Sequence, residues 1–269
     1  MTLRIGIAGI TGRMGRLLAE EVKSAGATLA GGLRRPGAAD GGGNPEGVPL
    51  ASDIAGLAAL SDVVIDFTHA GAAPAHGRVL AGTAVGWVLG TSGLTAADEA
   101  AVAAAAERIP VVYAANFSPG VTLMLALAER MAAALPAGSY DAEILEMHHR
   151  QKVDAPSATA IGLGRAVAAG RGMALEAVMR SGRHGEVGPR QTGEIGFASL
   201  RGGQVVGEHM LLFAGASEHL VLVHRAFDRR VYANGAVRAA LWLTGRPAGL
   251  YSMRDVIGIG REGDWPAEA

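Results

Sequence analysis

The sequence contains no cysteine among its 269 residues. Disulfide bonds, thiolate catalysis and cysteine-ligated zinc are therefore excluded. Aromatic residues make up only 4% of the chain, whereas hydrophobic residues as a whole make up 49%. The core must then be built mainly from Ala, Val, Leu and Ile. The length is sufficient for one large domain or two modest ones.

The sequence also lacks an excess of charge of either sign, since its formal net charge is −1. This balance argues against a generic nucleic-acid binder. No basic segment followed by an apolar one opens the chain, and no uncharged apolar stretch reaches the ~18 residues that a membrane-spanning helix needs. We therefore expect a soluble cytoplasmic protein without a nucleic-acid or membrane partner.

The first half of the chain alternates short apolar strands with helical patterns. An amphipathic helix is predicted at 13–25, and Thr95 with Asp98 resembles a capping box that opens a helix ending near residue 108. Strands are predicted at 3–8, 28–33, 63–67, 86–90 and 111–114. This rhythm predicts an α/β fold with a Rossmann-type, doubly wound parallel sheet.

The pattern changes after residue 118. A helix is predicted at 121–135, a strand at 140–147 and a further helix after Ser157. Residues 194–227 are typical of several strands, and helical character returns at 234–243. The second part of the chain is therefore expected to be an α+β domain with a mixed or antiparallel sheet.

A glycine motif separates the first predicted strand from the first helix. Its residues are Gly9, Ile10, Thr11, Gly12, Arg13, Met14 and Gly15. Such glycines allow a tight turn and a close approach to a pyrophosphate, to which the helix N-terminus presents roughly half a positive charge. The motif therefore indicates a dinucleotide site, although a plain strand–helix turn is an alternative in a chain with 40 glycines.

The end of the second predicted strand bears on the choice of dinucleotide. Arg34 and Arg35 follow this strand, with no acidic residue before Asp40. Two arginines suit the 2′-phosphate of NADPH better than the 2′-hydroxyl of NADH, unless they are a solvated surface pair. We expect the nicotinamide half to lie at the ends of three further strands, beside Phe67, Thr68, Gly90, Thr91, Ser92, Ala115, Asn116 and Phe117.

The segment from Glu146 to Thr159 carries the richest chemistry. It combines two adjacent imidazoles, His148 and His149, with the ammonium of Lys152 and a turn in which Ser157 is placed to cap a helix. These groups suit a small dianion that must also receive a proton. A surface loop with incidental histidines is the plain alternative. Metal binding is a weaker one, because no spaced carboxylate pair completes a site, and no metal is expected.

Taken together, these motifs resemble the 4-hydroxy-tetrahydrodipicolinate reductase family, also called dihydrodipicolinate reductase, over nearly the whole chain. The segment His148-His149-Arg150-Gln151-Lys152-Val153-Asp154-Ala155-Pro156-Ser157 carries the most specific part of the resemblance. Further landmarks are Asp66-Phe67-Thr68, Gly90-Thr91-Ser92, Ala115-Asn116-Phe117-Ser118, Arg201-Gly202-Gly203, Gly207-Glu208-His209, Ala233-Asn234-Gly235-Ala236 and Tyr251-Ser252-Met253-Arg254-Asp255-Val256.

The resemblance implies a reductase of lysine and diaminopimelate biosynthesis. Hydride from NADPH or NADH would reach C4 of a cyclic, unsaturated imine dicarboxylate, and protonation of the resulting enamine would give tetrahydrodipicolinate. His148 matches the family's acid–base histidine and Lys152 its proton donor. His149, Lys152, Ala158 and Thr159 match the positions that hold the substrate carboxylates.

The resemblance also implies a homotetramer and two domains. Residues 1–118 and 229–269 would form the dinucleotide-binding domain, and residues 119–228 the substrate-binding and oligomerisation domain. Two positions depart from the family pattern. Ala158 replaces a usual glycine, so that its methyl group would crowd the carboxylate or the backbone would need another angle. Arg34 replaces a frequent acid, which should weaken NADH relative to NADPH.

Two other functions remain open at this point. A different dehydrogenase of the same fold, such as an amino-acid dehydrogenase, would explain the glycine loop but not the segment around His148. A nucleotide-sensing regulator without catalysis would be expected to lack either the acid or the carboxylate anchor. Both His148 and Lys152 are present, which favours the enzyme.

Overall fold

A computed structural model of the chain describes residues 2–34 and 47–260. The chain forms two compact units. The first comprises Met1–Pro119 and Arg229–Ala269, and the second comprises Gly120–Asp228. In the described part of the chain, no helix combines the length and apolar character that crossing a membrane would require.

The elements follow one another in an α/β order in the first unit and in a mixed order in the second. The strands are β1 (Arg4–Ala8), β2 (Thr28–Leu33), β3 (Leu50–Ala51), β4 (Val63–Asp66), β5 (Gly86–Leu89), β6 (Pro110–Tyr113), β7 (Asp141–His148), β8 (Met179–Ser181), β9 (Ile195–Arg201), β10 (Gly207–Ala214), β11 (His219–Ala226) and β12 (Gly249–Tyr251). The helices are α1 (Arg13–Ser24), α2 (Ile54–Leu60), α3 (Ala73–Leu80), α4 (Ala96–Ala106), α5 (Pro119–Ala134), α6 (Ala158–Gly170), α7 (Leu175–Val178), α8 (Arg230–Leu243) and α9 (Met253–Ile257), with a 3₁₀ turn at Ala70–Ala72.

The first unit is built on a seven-stranded sheet in the described residues. Its strand order is β12-β6-β5-β4-β1-β2-β3, and every pair is parallel. Ile7 and Ile65 pair at the centre and belong to the core on one face, whereas Ala8 and Val64 belong to the core on the other face. The predicted doubly wound parallel sheet is confirmed, and its central strands are buried on both sides as such sheets require.

Local sequence signals determine where two of the helices begin. Thr95 and Asp98 form the predicted capping box at α4, because the Thr95 side chain accepts from the Asp98 N–H and the Asp98 carboxylate accepts from the Thr95 N–H. Ser157 caps α6 by accepting a hydrogen bond from the Ala160 N–H at 3.2 Å. The segment that is predicted to bind a dianion is therefore followed at once by a helix N-terminus.

The second unit contains a five-stranded mixed sheet of order β11-β10-β7-β9-β8. Strand β7 pairs antiparallel with β10 and parallel with β9, which confirms the predicted mixed sheet. Burial alternates along β7, with Ile144, Glu146 and His148 on the covered face. Residues of α6, including Leu163 and Val167, pack in the core on that face. The side chains of Glu146 and His148 therefore lie on the face of the sheet that α6 covers.

Candidate active site

The glycine motif forms a tight turn between β1 and α1. Gly9 has φ +86°, a backbone conformation that residues with a side chain rarely adopt. A Cβ at Gly15 would overlap the Gly9 carbonyl oxygen. The N–H groups of Gly9 and Ile10 donate to the Leu33 oxygen at 2.9 and 3.2 Å. The first and third glycines are thus needed for the turn and for the close approach of α1. The N–H groups of Arg13 and Met14 in the first turn are available to an anion.

A cavity of about 590 Å³ opens beside this turn, within the usual range for ligand sites. Six of the predicted cofactor residues line it: Gly9, Thr11, Gly12, Arg34, Phe67 and Thr68. Ser52, Asp53, His69 and His76 also contribute to the wall. Arg35 lies outside the described residues.

A buried carboxylate organises one side of this cavity. Asp66, with 0% exposure, accepts hydrogen bonds from the Thr68 hydroxyl at 2.6 Å and the Thr68 N–H at 3.1 Å. Its second oxygen lies 2.7 Å from His76 Nδ1. The carboxylate therefore holds both Thr68 and the imidazole of His76 in place at the cavity wall. The role of Asp66 was not predicted from the sequence.

The remaining predicted cofactor residues do not line this cavity. The side chain of Ile10 is buried in the core, and Arg13 is exposed at the start of α1 beside Met14. Only glycine fits at position 90, because a Cβ there would overlap the ring of Phe67. The ring of Phe67 lies 5.6 Å from the ring of Phe117. These contacts bring the ends of three predicted strands into one aromatic cluster.

The other residues at these strand ends differ in accessibility. Thr91 is buried, Ser92 and Ala115 are exposed, and the Asn116 side chain accepts from the Ser118 N–H at 2.8 Å. Phe117 is buried, and Gly235 of α8 packs so closely on its carbonyl that a Cβ would overlap it. A nicotinamide contact by any of them remains a prediction.

In the second unit, β7 carries Glu146 and His148 two residues apart. Successive side chains of a strand alternate between faces, so both point to the same covered face. His148 Nδ1 lies 2.5 Å from Glu146 Oε2. Arg201 of the neighbouring strand β9 donates to both oxygens of Glu146, at 2.9 and 2.8 Å. The register pairs His148 with Arg201 directly, which explains why residues far apart in sequence meet here.

The electrostatics of this cluster follow from burial and charge. Burial raises the pKa of the Glu146 carboxyl, but hydrogen bonds from Arg201, His148 and Ser199 outweigh it, so the pKa is lowered overall. Burial lowers the pKa of His148, as do the charges of Lys152 and Arg201, while the Glu146 carboxylate opposes them. Glu146 is therefore an anion at neutral pH, and it is the group that favours a proton on His148.

A second imidazole packs against the first. The rings of His148 and His209 lie 5.2 Å apart in an edge-on arrangement, and His209 Nε2 is 3.2 Å from Ser157 Oγ. Burial, together with the neighbouring His148 and His224, lowers the pKa of His209 to about 4. His209 is thus neutral near pH 7 and adds no competing cation beside His148.

The predicted carboxylate-binding residues lie on the turn after β7 and at the start of α6. Lys152 Nζ contacts both oxygens of Asp154, at 2.8 and 2.9 Å. His149 is half-buried, and Thr159 is the second residue of α6. Ala158 opens α6 with an exposed side chain, and no described residue other than glycine has a positive φ. The effect of alanine in place of the usual glycine, through crowding by its methyl group or through another backbone angle, stays a prediction.

The most important residues that sequence reasoning missed are Glu146 and Arg201. Both stand within motifs singled out above, but neither received a role. The two-residue spacing of Glu146 and His148 on a strand was the available signal. Among residues 2–34 and 47–260, no group of three or more His, Asp or Glu side chains is arranged to hold a metal ion.

Comparison with known proteins identifies relatives for both units. Residues 3–117 match the family model described as dihydrodipicolinate reductase, N-terminus, and residues 120–257 match dihydrodipicolinate reductase, C-terminus. The 4-hydroxy-tetrahydrodipicolinate reductase of Granulibacter bethesdensis is 63% identical over 258 residues, covering 96% of this chain and 98% of the relative. The enzyme of the same name from Gluconacetobacter diazotrophicus is 58% identical over 260 residues, with coverage of 96% and 98%.

A solved structure shares the fold as well. The dipicolinate-bound dihydrodipicolinate reductase from Paenisporosarcina sp. TG-14 superposes with a TM-score of 0.78 at 25% identity. The match covers 96% of this chain and all of that one. The fold of this chain is thus shared with a reductase whose structure was determined with dipicolinate bound.

Proposed function

The chain belongs to the dihydrodipicolinate reductase family, and from that premise we propose that it reduces 4-hydroxy-tetrahydrodipicolinate, through dihydrodipicolinate, to tetrahydrodipicolinate. The family is one of pyridine-nucleotide-dependent oxidoreductases of lysine biosynthesis. The observation that carries the proposal is the pairing of His148 with the buried Glu146 directly before the capped start of α6. This arrangement combines a proton-transfer group with an anion-binding helix end.

The residues of the first unit fit a dinucleotide. Gly9 adopts a positive φ, Gly15 admits α1 to the turn, and Gly9 and Gly12 line the cavity beside them. The N–H groups of Arg13 and Met14 would receive the pyrophosphate, and Arg34 would lie beside the adenosine ribose. When bound, the reduced nicotinamide supplies the hydride that reaches C4 of the substrate.

The second unit would hold the substrate and complete the reaction. Hydride addition leaves an enamine, whose carbon must accept a proton to give tetrahydrodipicolinate. Burial lowers the pKa of His148 overall, which makes its protonated form a stronger acid, while the Glu146 carboxylate opposes this shift. Protonated His148 is therefore suited to deliver or relay this proton. Lys152, close enough to His148 for its charge to lower the pKa of that imidazole, is the second proton donor of the proposal.

The substrate carboxylates require cations and N–H donors. Lys152 pairs with Asp154, whose side chain is 53% exposed, and such a surface ion pair contributes little stability, on the order of 0–1 kcal/mol. Lys152 can therefore exchange Asp154 for a substrate carboxylate at small cost. We propose that His149, Ala158 and Thr159 bind the carboxylates with it, the backbone N–H of Ala158 acting at the start of α6.

The direct test is oxidation of NADPH followed at 340 nm. The substrate is made in place from pyruvate and aspartate semialdehyde by the preceding synthase. Loss of absorbance that requires both precursors supports the proposal. Binding of NADPH without its oxidation would instead favour the sensing role and direct attention to Ala158.

We further propose that NADPH is preferred and NADH accepted. Replacing Arg34 and Arg35 by alanine should weaken NADPH binding about tenfold or more, because a charge-assisted bond to the 2′-phosphate is lost, and should change NADH binding far less. The single variants R34A and R35A divide the effect between the two arginines. Dissociation constants of both cofactors, measured by fluorescence, check this prediction.

The exposed arginine of α3 provides the matched control. R78A removes the same charge but lies outside the cavity wall. It should leave both dissociation constants unchanged. An equal loss of NADPH and NADH affinity in the Arg34 and Arg35 variants would contradict the role of a 2′-phosphate.

We also propose that the chain assembles as a homotetramer through the second unit's sheet. The edge strand β11 exposes Leu220, Val221 and Val223, which are 39–49% accessible, and β7 exposes Leu145 on the open face. Contiguous exposed apolar side chains of this kind are typical of interfaces. Val221, Val223 and Leu145 lie on the face of the sheet away from α6, whereas Leu220 lies on the other face, at the edge of the sheet.

A charge placed on this surface should break the assembly. V223K is expected to shift the mass in solution from tetramer to a smaller species, because a buried lysine without a partner is costly at an apolar interface. S181K adds the same charge on β8, the opposite edge strand, and should leave the mass unchanged. Light scattering coupled to gel filtration measures both. A wild-type chain that is already monomeric would exclude the tetramer.

A further inference from the structure

The carboxylate of Glu146 lies where the proton-transfer histidine meets the start of α6. We propose that Glu146 is a positioning residue: it fixes the tautomer of His148 that presents Nε2 for proton transfer, and it links this imidazole to the turn that anchors the substrate. The inference deepens the proposed function, on which the catalytic role of His148 rests. It assigns a task to a residue with no exposed surface of its own.

The hydrogen bond to His148 determines which ring nitrogen carries hydrogen. Glu146 Oε2 lies 2.5 Å from His148 Nδ1. An ionised carboxylate can only accept, so Nδ1 must be the donor. Nε2 then holds a lone pair in the neutral ring and an exchangeable proton in the charged ring. Proton transfer to or from the substrate is thereby confined to Nε2.

The surroundings of Nε2 are consistent with this assignment. Gly207 of β10 passes beside the ring, and a Cβ at that position would lie 3.1 Å from Nε2 and 3.5 Å from Cδ2. Any larger residue would therefore crowd the reactive nitrogen. Glycine at position 207 places no side chain against Nε2, whereas Nδ1 is held against the carboxylate.

The same carboxylate is also hydrogen-bonded to the turn before α6, which is proposed to bind the substrate. The Ser157 N–H donates to Glu146 Oε1 at 3.3 Å, and Ser157 caps α6. Arg201 Nη2 donates both to Oε1 of Glu146, at 2.8 Å, and to the Asp154 carbonyl, at 2.6 Å. The turn before α6 and the ring of His148 are therefore bonded to one buried group. Their relative position depends on Glu146 remaining a carboxylate.

The charges around His148 predict how the pH dependence of activity should change when Glu146 is replaced. Lys152 and Arg201 disfavour a proton on His148, neutral His209 packs against it with His224 beyond, and Glu146 alone favours the proton. In E146Q the pKa of His148 should therefore fall. Activity that needs protonated His148 is present below this pKa and lost above it. The corresponding limb of the profile of kcat/KM should move to lower pH.

The experiment compares E146Q with E143Q in the full-length enzyme. Glu143 lies on the same strand and binds two arginines, Arg183 and Arg190, but not His148. E146Q should lower kcat about 10–100-fold, as is typical when the partner of a functional imidazole is removed, and should shift the pH profile. E143Q should retain the wild-type profile. NADPH affinity should be unchanged in both variants.

A second readout requires no substrate. Nitrogen-15 chemical shifts of His148, assigned with the spectrum of H148Q, should show the Nδ1–H tautomer in the wild type and a mixture in E146Q. Wild-type shifts and a wild-type pH profile in folded E146Q would overturn the inference. If the wild type fails to reduce the substrate, the proposed function falls, while the nitrogen shifts still decide the tautomer assignment.

A shorter carboxylate keeps the test decisive if E146Q does not fold. E146D retains the charge that faces Arg201 but draws it back from the imidazole by about one C–C bond. Turnover that follows the population of the Nδ1–H tautomer across wild type and E146D supports the inference. Turnover that is independent of this population overturns it.

Discussion

Replacement of His148 by glutamine is expected to lower turnover by about 10²–10⁴-fold, the usual loss when a proton donor is removed. Glutamine occupies similar space and can hydrogen-bond to Glu146, but it cannot deliver a proton to the enamine carbon. The predicted cofactor residues belong to the first unit and His148 to the second, so NADPH affinity should be retained. Steady-state kinetics and cofactor fluorescence measure the two quantities separately.

The matched control for this variant is H184Q. His184 is an exposed histidine of the same unit, in the segment between β8 and β9. Its replacement makes the same chemical change away from the cluster and should preserve turnover. If H148Q retained wild-type turnover, or if it lost NADPH binding along with turnover, the role assigned to His148 would be wrong.

The parallel sheet of the first unit could be predicted because its strands are short, apolar and separated by helical patterns. Residues such as Ile5, Ile7, Val64 and Ile65 are fully buried. A short run of apolar residues of this kind is typical of a strand that is covered on both faces in a parallel sheet. The helices α2 and α3 are not evident in the sequence. The first has only seven residues, and the second contains Pro74 and Gly77, so neither displays a clear helical period.

The pairing of β12 with β6 could not be predicted from the sequence either. β12 has only three residues and is separated from β6 by the whole second unit. Short strands gain their place from tertiary pairing rather than from their own pattern.

For the site, chemistry close together in sequence was predictable and chemistry set by register was not. The histidines, Lys152 and the cap at Ser157 lie within a few residues of each other. The contact between Glu146 and Arg201 depends on the parallel register of β7 and β9, and that between Asp66 and His76 on the path from β4 into α3. Arg34 and Asp53 likewise meet at one cavity only through the fold.

The role of Lys152 is separable into charge and proton donation by two substitutions. K152A removes both and should lower turnover by about 10²–10⁴-fold while weakening substrate binding. K152R retains a cation for the carboxylate, but a guanidinium does not release its proton near neutral pH. K152R should therefore restore much of the substrate affinity while kcat stays low. The dissociation constant for dipicolinate, measured by calorimetry, and kcat distinguish the two contributions.

A further comparison excludes an indirect effect through the ion pair with Asp154. D154N removes the partner of Lys152, an exposed pair of small expected stability, without removing the ammonium. It should leave kcat within a few-fold of the wild type. Full turnover in K152R would show that Lys152 serves only as a cation. Proton delivery would then rest on His148 alone, whose Nδ1 is hydrogen-bonded to the buried Glu146 carboxylate, so that Nε2 points away from it.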